Sequence, residues 1–155
     1  MLVCPVALLL CSCGFFHTTT SADVAGEYVY KYKSGEIEVW ILHPDFTYQQ
    51  EFYKTVADYR QGASVAFKNS GTWSLSTNKV TLLNNKIALS EPLDFFDYGN
   101  IKRPLEKPLH VDYLPADWYG SSGDEGATIA INQDIDYVLY RDSNRNQVQD
   151  NKSNP

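Results

Sequence analysis

The sequence predicts an all-β domain: an antiparallel barrel or sandwich of about eight short strands, with one long loop rich in proline and aromatic residues. Three observations predict it. From Gly26 onward apolar and polar residues alternate with a period of two, the signature of half-buried strands. Turn residues interrupt this alternation roughly every 8–12 residues. Aromatics make up 14% of the chain, led by 11 tyrosines, and tyrosine suits a pleated, half-buried surface.

The elements follow in order. Tyr28, Tyr30 and Tyr32 share one face of a first strand, and Ser34-Gly35 ends it. Glu36 to Leu42 forms a second, with Ile37, Val39 and Ile41 on one side and Glu38 and Trp40 on the other. The pair reads as a hairpin. His43-Pro44-Asp45 is a turn, because proline fixes φ and aspartate bonds the local backbone. Phe46 to Lys54 is a third strand, with Phe46, Tyr48, Gln50 and Phe52 on one side. Thr55 to Gly62 reads as a polar loop or a single helical turn. Ser64–Lys68 and Gly71–Leu75 read as two short strands. Val80–Leu83 and Ile87–Leu89 read as two more, separated by a turn at Asn84-Asn85-Lys86.

Residues 91–126 lose the alternation. They carry Pro92, Pro104, Pro108 and Pro115 among Phe95, Phe96, Tyr98, Tyr113, Trp118 and Tyr119. A long aromatic crossover packed over one end of the sheet is expected there. Ala127–Ile131 and Ile135–Tyr140 restore the period of two, and residues 143–155 form a flexible polar tail.

The N-terminus carries an address. Leu2 to Leu10 is an apolar run too short to span a bilayer, which takes roughly 20 residues. It matches the core of an export signal. Leu10-Cys11-Ser12-Cys13 resembles a bacterial lipobox. That resemblance implies a signal peptide over residues 1–12, cleavage before Cys13 and acylation of Cys13. The alternative is an ordinary secretory signal cleaved near Ala22 or Ala25. Residues 13–25 then read as a lipidated tether and residues 26–142 as the β-domain. Gly14 after the cysteine implies passage to the outer membrane, facing the periplasm. All three cysteines lie in the first 13 positions, so the β-domain has no disulfide and no thiol chemistry.

Gly26-Glu27-Tyr28, Leu42 to Gln50, Gly71-Thr72-Trp73 and Ile129 to Asp134 with Tyr137 together resemble small exported bacterial lipoproteins with a lipocalin-like or copper-resistance-lipoprotein-like β-domain. The resemblance covers residues 26–140 and implies architecture without naming a ligand. The copper-type Cys-x-x-Cys is absent.

Net charge is −6, which argues against nucleic acid as a partner, where Lys/Arg contacts to phosphate supply most of the affinity. No Gly-x-Ser-x-Gly elbow exists, and Ser76-Thr77-Asn78-Lys79 places a Ser-x-x-Lys match in a hairpin turn. His43 reads as a turn residue and His110 as a hydrogen-bonding loop residue. Asp94, Asp97, Asp112, Asp117, Asp124 and Glu125 read as a solvated acidic face. Asp142-Ser143-Asn144-Arg145-Asn146 half-matches a calcium loop, but Gln147 stands where glycine is needed. No catalytic residue, metal or cofactor is therefore expected.

The aromatic surplus is the remaining candidate: Tyr30, Tyr32, Trp40, Tyr48, Trp118 and Tyr119 are expected to form a binding surface, unless they fill a small barrel core. The expected function is a membrane-anchored, non-catalytic envelope lipoprotein that binds a small molecule, glycan or protein, an inhibitor or immunity role included. A structural or assembly accessory of the envelope is the alternative, and a hydrolase the third reading. The expected partners are the membrane, through lipid on Cys13, and an unidentified small molecule or protein.

Overall fold

A computed structural model describes residues 18–87, 109–120, 126–132 and 137–142. The expected signal peptide, Cys13 and the polar tail lie outside these residues. So do 91–108 and 121–125 of the expected crossover.

Eight strands follow one another as β1 (Gly26–Lys31), β2 (Ile37–Leu42), β3 (Thr47–Tyr53), β4 (Val65–Ser76), β5 (Lys79–Ile87), β6 (Leu109–Tyr119), β7 (Thr128–Asn132) and β8 (Tyr137–Arg141). Each pairs antiparallel with the next, and β8 returns to β1, so the sheet closes into a barrel. The closing contact is the shortest: β1 and β8 share only Tyr28↔Arg141 and Val29↔Tyr140. Along β1 and β2 the pairing runs from Gly26↔Leu42 to Lys31↔Ile37.

An eight-stranded barrel has an interior just wide enough for side chains to fill. Here Tyr28, Trp40, Leu42, Tyr48, Phe52 and Trp73 meet Val80, Leu82, Leu114, Trp118, Ile129 and Leu139 across it. The face that Tyr28, Tyr30 and Tyr32 share points inward. The aliphatic face of β2 points out, and the chain covers it. Helix α2 (Val56–Gln61) lies over Ile37, Val39 and Tyr53, adding Tyr59 and Val56 to a second apolar cluster on the outer face. Thr55 caps that helix by accepting from the Asp58 N–H at 3.1 Å, and Gly62 ends it in the left-handed conformation at φ 63°.

Several boundaries differ from the sequence reading. Residues 65–76 are one strand where two were expected, and residues 79–87 are one strand where a turn was expected. The asparagines that suggested the turn kink the sheet instead of reversing it. Asn84 adopts φ 62° and donates to the Ser70 carbonyl at 2.7 Å, while Asn69 donates to the Asn84 carbonyl at 2.7 Å. These side chains hold β4 and β5 together where the backbone ladder ends at Thr72↔Leu83.

Most of the described part of the expected crossover is strand β6. Its Pro115 is exposed and lies beyond the β6–β7 pairing, which covers only Asp117 to Tyr119. A proline is tolerated on such a free edge. His110 is therefore a strand residue, bonded to exposed Asp112 at 2.8 Å, rather than a loop residue. Asp117 pairs with Lys79.

Part of the segment expected as a tether is ordered. Ser21–Val24 forms a short helix, α1, whose Asp23 and Val24 are buried against the barrel. The Asp23 carboxylate accepts from both the N–H and the hydroxyl of Thr20 at 2.7 Å. The turn after β2 forms as expected, with Asp45 accepting from the Thr47 N–H at 3.0 Å.

Candidate binding site inside the barrel

The barrel has two unlike ends. One is closed by α1 and by the β2–β3 and β4–β5 turns. At the other lie the β1–β2 loop, the start of α2 and the ends of β5 and β7. Glu38 sits one residue inside β2 at this second end, and it faces the interior.

Alternation puts it there. Ile37 and Val39 go to the outer cluster under α2, so Glu38, Trp40 and Leu42 must face inward. Glu38 is 1% exposed. An isolated carboxylate in such a place is costly unless hydrogen-bonded, and four donors reach it. Trp40 Nε1 and Gln50 Nε2 donate to Oε1 at 2.6 and 2.8 Å. The hydroxyls of Tyr32 and Tyr137 donate to Oε2 at 2.6 and 2.7 Å. All four are neutral, and no cation among the described residues pairs with Glu38. The buried Glu51 differs, with Lys68 Nζ at 2.8 Å.

Burial pushes the Glu38 carboxyl above the usual carboxylate range, and the four hydrogen bonds pull the other way. Burial, with the Glu38 charge, holds Tyr32 and Tyr137 well above an ordinary phenol. Trp Nε1–H and an amide NH₂ can only donate, so Oε1 stays unprotonated. A proton taken up by Glu38 goes to Oε2 and turns one tyrosine into an acceptor.

Gln50 ties the cluster to β5. Its Nε2 donates to the Lys86 carbonyl at 2.6 Å and its Oε1 accepts from the Lys86 N–H at 3.2 Å. Beside Lys86, Asn85 is fully buried. Its Nδ2 is 3.5 Å from the Tyr48 hydroxyl, and its Oδ1 has no hydrogen-bond partner among the described residues. Burial pushes Tyr48 up to about 12.

Tyr30 is half-buried at the edge of this group. Its ring meets those of Tyr32 and Tyr137 edge-on, each at 4.8 Å. It also lines a groove of about 440 Å³ along β1 and β8, with Val29, Lys31, Val138, Tyr140, Arg141 and Asp142.

The six aromatics expected as a binding surface do not form one. Tyr32, Trp40, Tyr48 and Trp118 are buried in the barrel, and Tyr119 is 45% exposed. Tyr30, Tyr32 and Trp40 surround Glu38. Trp118 lies apart, donating to the Tyr28 hydroxyl at 3.0 Å near α1. The sequence reading missed Glu38, Gln50, Asn85 and Tyr137. One signal pointed to the first two: Glu38 alternates in phase with Trp40, and Gln50 with Tyr48 and Phe52. Among the described residues, no three His, Cys, Asp or Glu side chains gather as a metal site.

Fold and site thus define a closed eight-stranded antiparallel barrel carrying a buried carboxylate near one end. Compared with family models, curated proteins and solved structures, the chain matches none.

Proposed function

We propose that this chain is a non-catalytic binding protein of the bacterial cell envelope. It is anchored through lipid on Cys13, faces the periplasm from the outer membrane, and takes its ligand in the barrel around Glu38. One observation carries the binding reading: the barrel interior keeps an ionisable carboxylate held by four neutral donors, and a buried Asn85 acceptor that no donor among the described residues reaches. Interiors built only for stability avoid such groups, and perturbed titratable groups gather at functional sites. The lipocalin-like resemblance of residues 26–140 supports the same reading, and Leu10 to Cys13 supports the anchor.

Palmitate labelling of the expressed chain tests the anchor. Label on the wild type and none on Cys13→Ala is expected; label retained on Cys13→Ala sinks it. A small-molecule screen read by the Trp40 indole N–H resonance tests the site, because that N–H touches Glu38. Hits that shift it saturably are expected, and hits that shift only resonances on the outer face sink it.

A second reading, a protein partner in envelope assembly or inhibition, draws on one feature. Leu83 and Tyr113 lie opposite each other across β5 and β6, 42% and 60% exposed.

A further inference from the structure

This inference rests on the binding reading above and adds the chemical class of the ligand. We propose that the barrel binds a small molecule bearing a protonated amine, held between Glu38 and Asn85.

The unmet chemistry of the interior selects that class. Tyr48 has one hydroxyl proton, and it goes to the Leu83 carbonyl at 3.2 Å. Tyr48 therefore accepts from Asn85, which turns Nδ2 toward Tyr48 and leaves Oδ1 as the orphan. An orphaned buried acceptor calls for a donor. Among the described residues Glu38 meanwhile meets no counter-charge: each of its four partners is neutral. A water molecule would satisfy Asn85 but offset no charge. A neutral alcohol or sugar does the same. An anion is repelled. An ammonium group supplies the donor and the charge together.

Gln50 bridges the two positions. Its amide hydrogens go to Glu38 Oε1 and to the carbonyl of Lys86, next in sequence to Asn85. Tyr30, in the wall of the groove along β1 and β8, meets with its ring those of Tyr32 and Tyr137, the two tyrosines that hold Glu38.

The test uses the full ¹⁵N-labelled chain in detergent. Butylammonium and benzylammonium chloride are titrated against 1-butanol, benzyl alcohol and butyrate, following the Trp40 indole N–H and the melting temperature. The amines are expected to shift Trp40 saturably and to bind at least tenfold more tightly than the alcohols. Glu38→Gln is expected to weaken amine binding at least tenfold and to leave alcohol binding unchanged. Asn85→Leu, which removes the orphaned acceptor while filling its space, is expected to weaken amines severalfold in a chain that melts no lower. Amines and alcohols binding alike, or amine binding indifferent to both variants, overturns the amine class and leaves the binding reading standing. If no probe moves Trp40, both fall.

Discussion

The Arg141 guanidinium lies over the ring of Tyr28, 5.3 Å from its centroid. From there it donates to the carbonyls of Asp23 and Ala25 at 2.8 and 2.7 Å and to the Tyr28 hydroxyl at 3.1 Å. That hydroxyl in turn donates to the Val24 carbonyl at 2.7 Å. One side chain from the last strand thus fastens the short α1 helix across the end of the barrel and closes β8 onto β1.

Arg141→Ala is expected to lower stability by about 3 kcal/mol, since several hydrogen bonds to a charged group are lost together. Arg141→Lys is expected to cost less, about 1–2 kcal/mol, because an ammonium keeps the charge and can still reach some of the carbonyls that the Arg141 Nη2 serves. Urea unfolding measures both. A lysine variant as unstable as the alanine one would mean that the fork, and not the charge, does the fastening.

Glu38 makes stability depend on pH. Its carboxyl binds a proton more tightly in the folded chain than in the unfolded one. Its contribution is therefore fully present below the unfolded value and is lost as pH rises through the folded value. Glu38→Gln should flatten that loss. Its amide oxygen can accept from Trp40 and Gln50 while its NH₂ donates to the two tyrosines, acting as acceptors. Glu38→Leu leaves the donors unmet and is expected to cost about 3–5 kcal/mol. Melting curves between acid and mildly alkaline pH separate the three proteins.

Gly71 is fixed by contact. A Cβ there would stand 2.2 Å from the Leu83 carbonyl oxygen and 2.7 Å from the Tyr48 ring. Gly71→Ala must push β4 away from β5 where Asn69 and Asn84 hold them. A loss of about 2–3 kcal/mol is expected by urea unfolding, in the range of overpacked cores.

Tyr59 joins α2 to the barrel seam. Its hydroxyl lies 2.8 Å from the Glu27 carboxylate and 2.7 Å from that of Asp142. Burial, then these two acids, raise its phenol far above the ordinary value, so it remains a neutral donor. Tyr59→Phe is expected to cost about 1–3 kcal/mol at neutral pH and less in acid, where the carboxylates bind protons. Hydrogen exchange should show faster opening of α2.

Much of this architecture was legible from periodicity alone. Tyr28, Tyr30 and Tyr32 declared one face of a strand, and Ile37, Val39 and Ile41 an apolar face that α2 covers. Two kinds of feature were not legible. Strand β6 was hidden because proline and polar residues read as loop, and nothing local says that Pro115 sits on a free edge. The turn at Asn84 was misread because asparagine favours left-handed backbone in a kink as readily as in a reversal. The site was obscured for a related reason. Glu38 shares its side of β2 with Trp40, but only closure of the barrel brings Tyr137 from β8 to Tyr32 and Glu38. Asn85 turns inward only because Asn84 breaks the alternation ahead of it.

The two-pair contact between β1 and β8 has a kinetic meaning. Every other pairing joins neighbours along the chain and can zip up as hairpins form. Closure joins the first strand to the last, pays the largest loop entropy and gains the fewest ladder bonds. The β1–β8 seam is therefore the interface expected to open first, and Arg141 over the Tyr28 ring holds it shut.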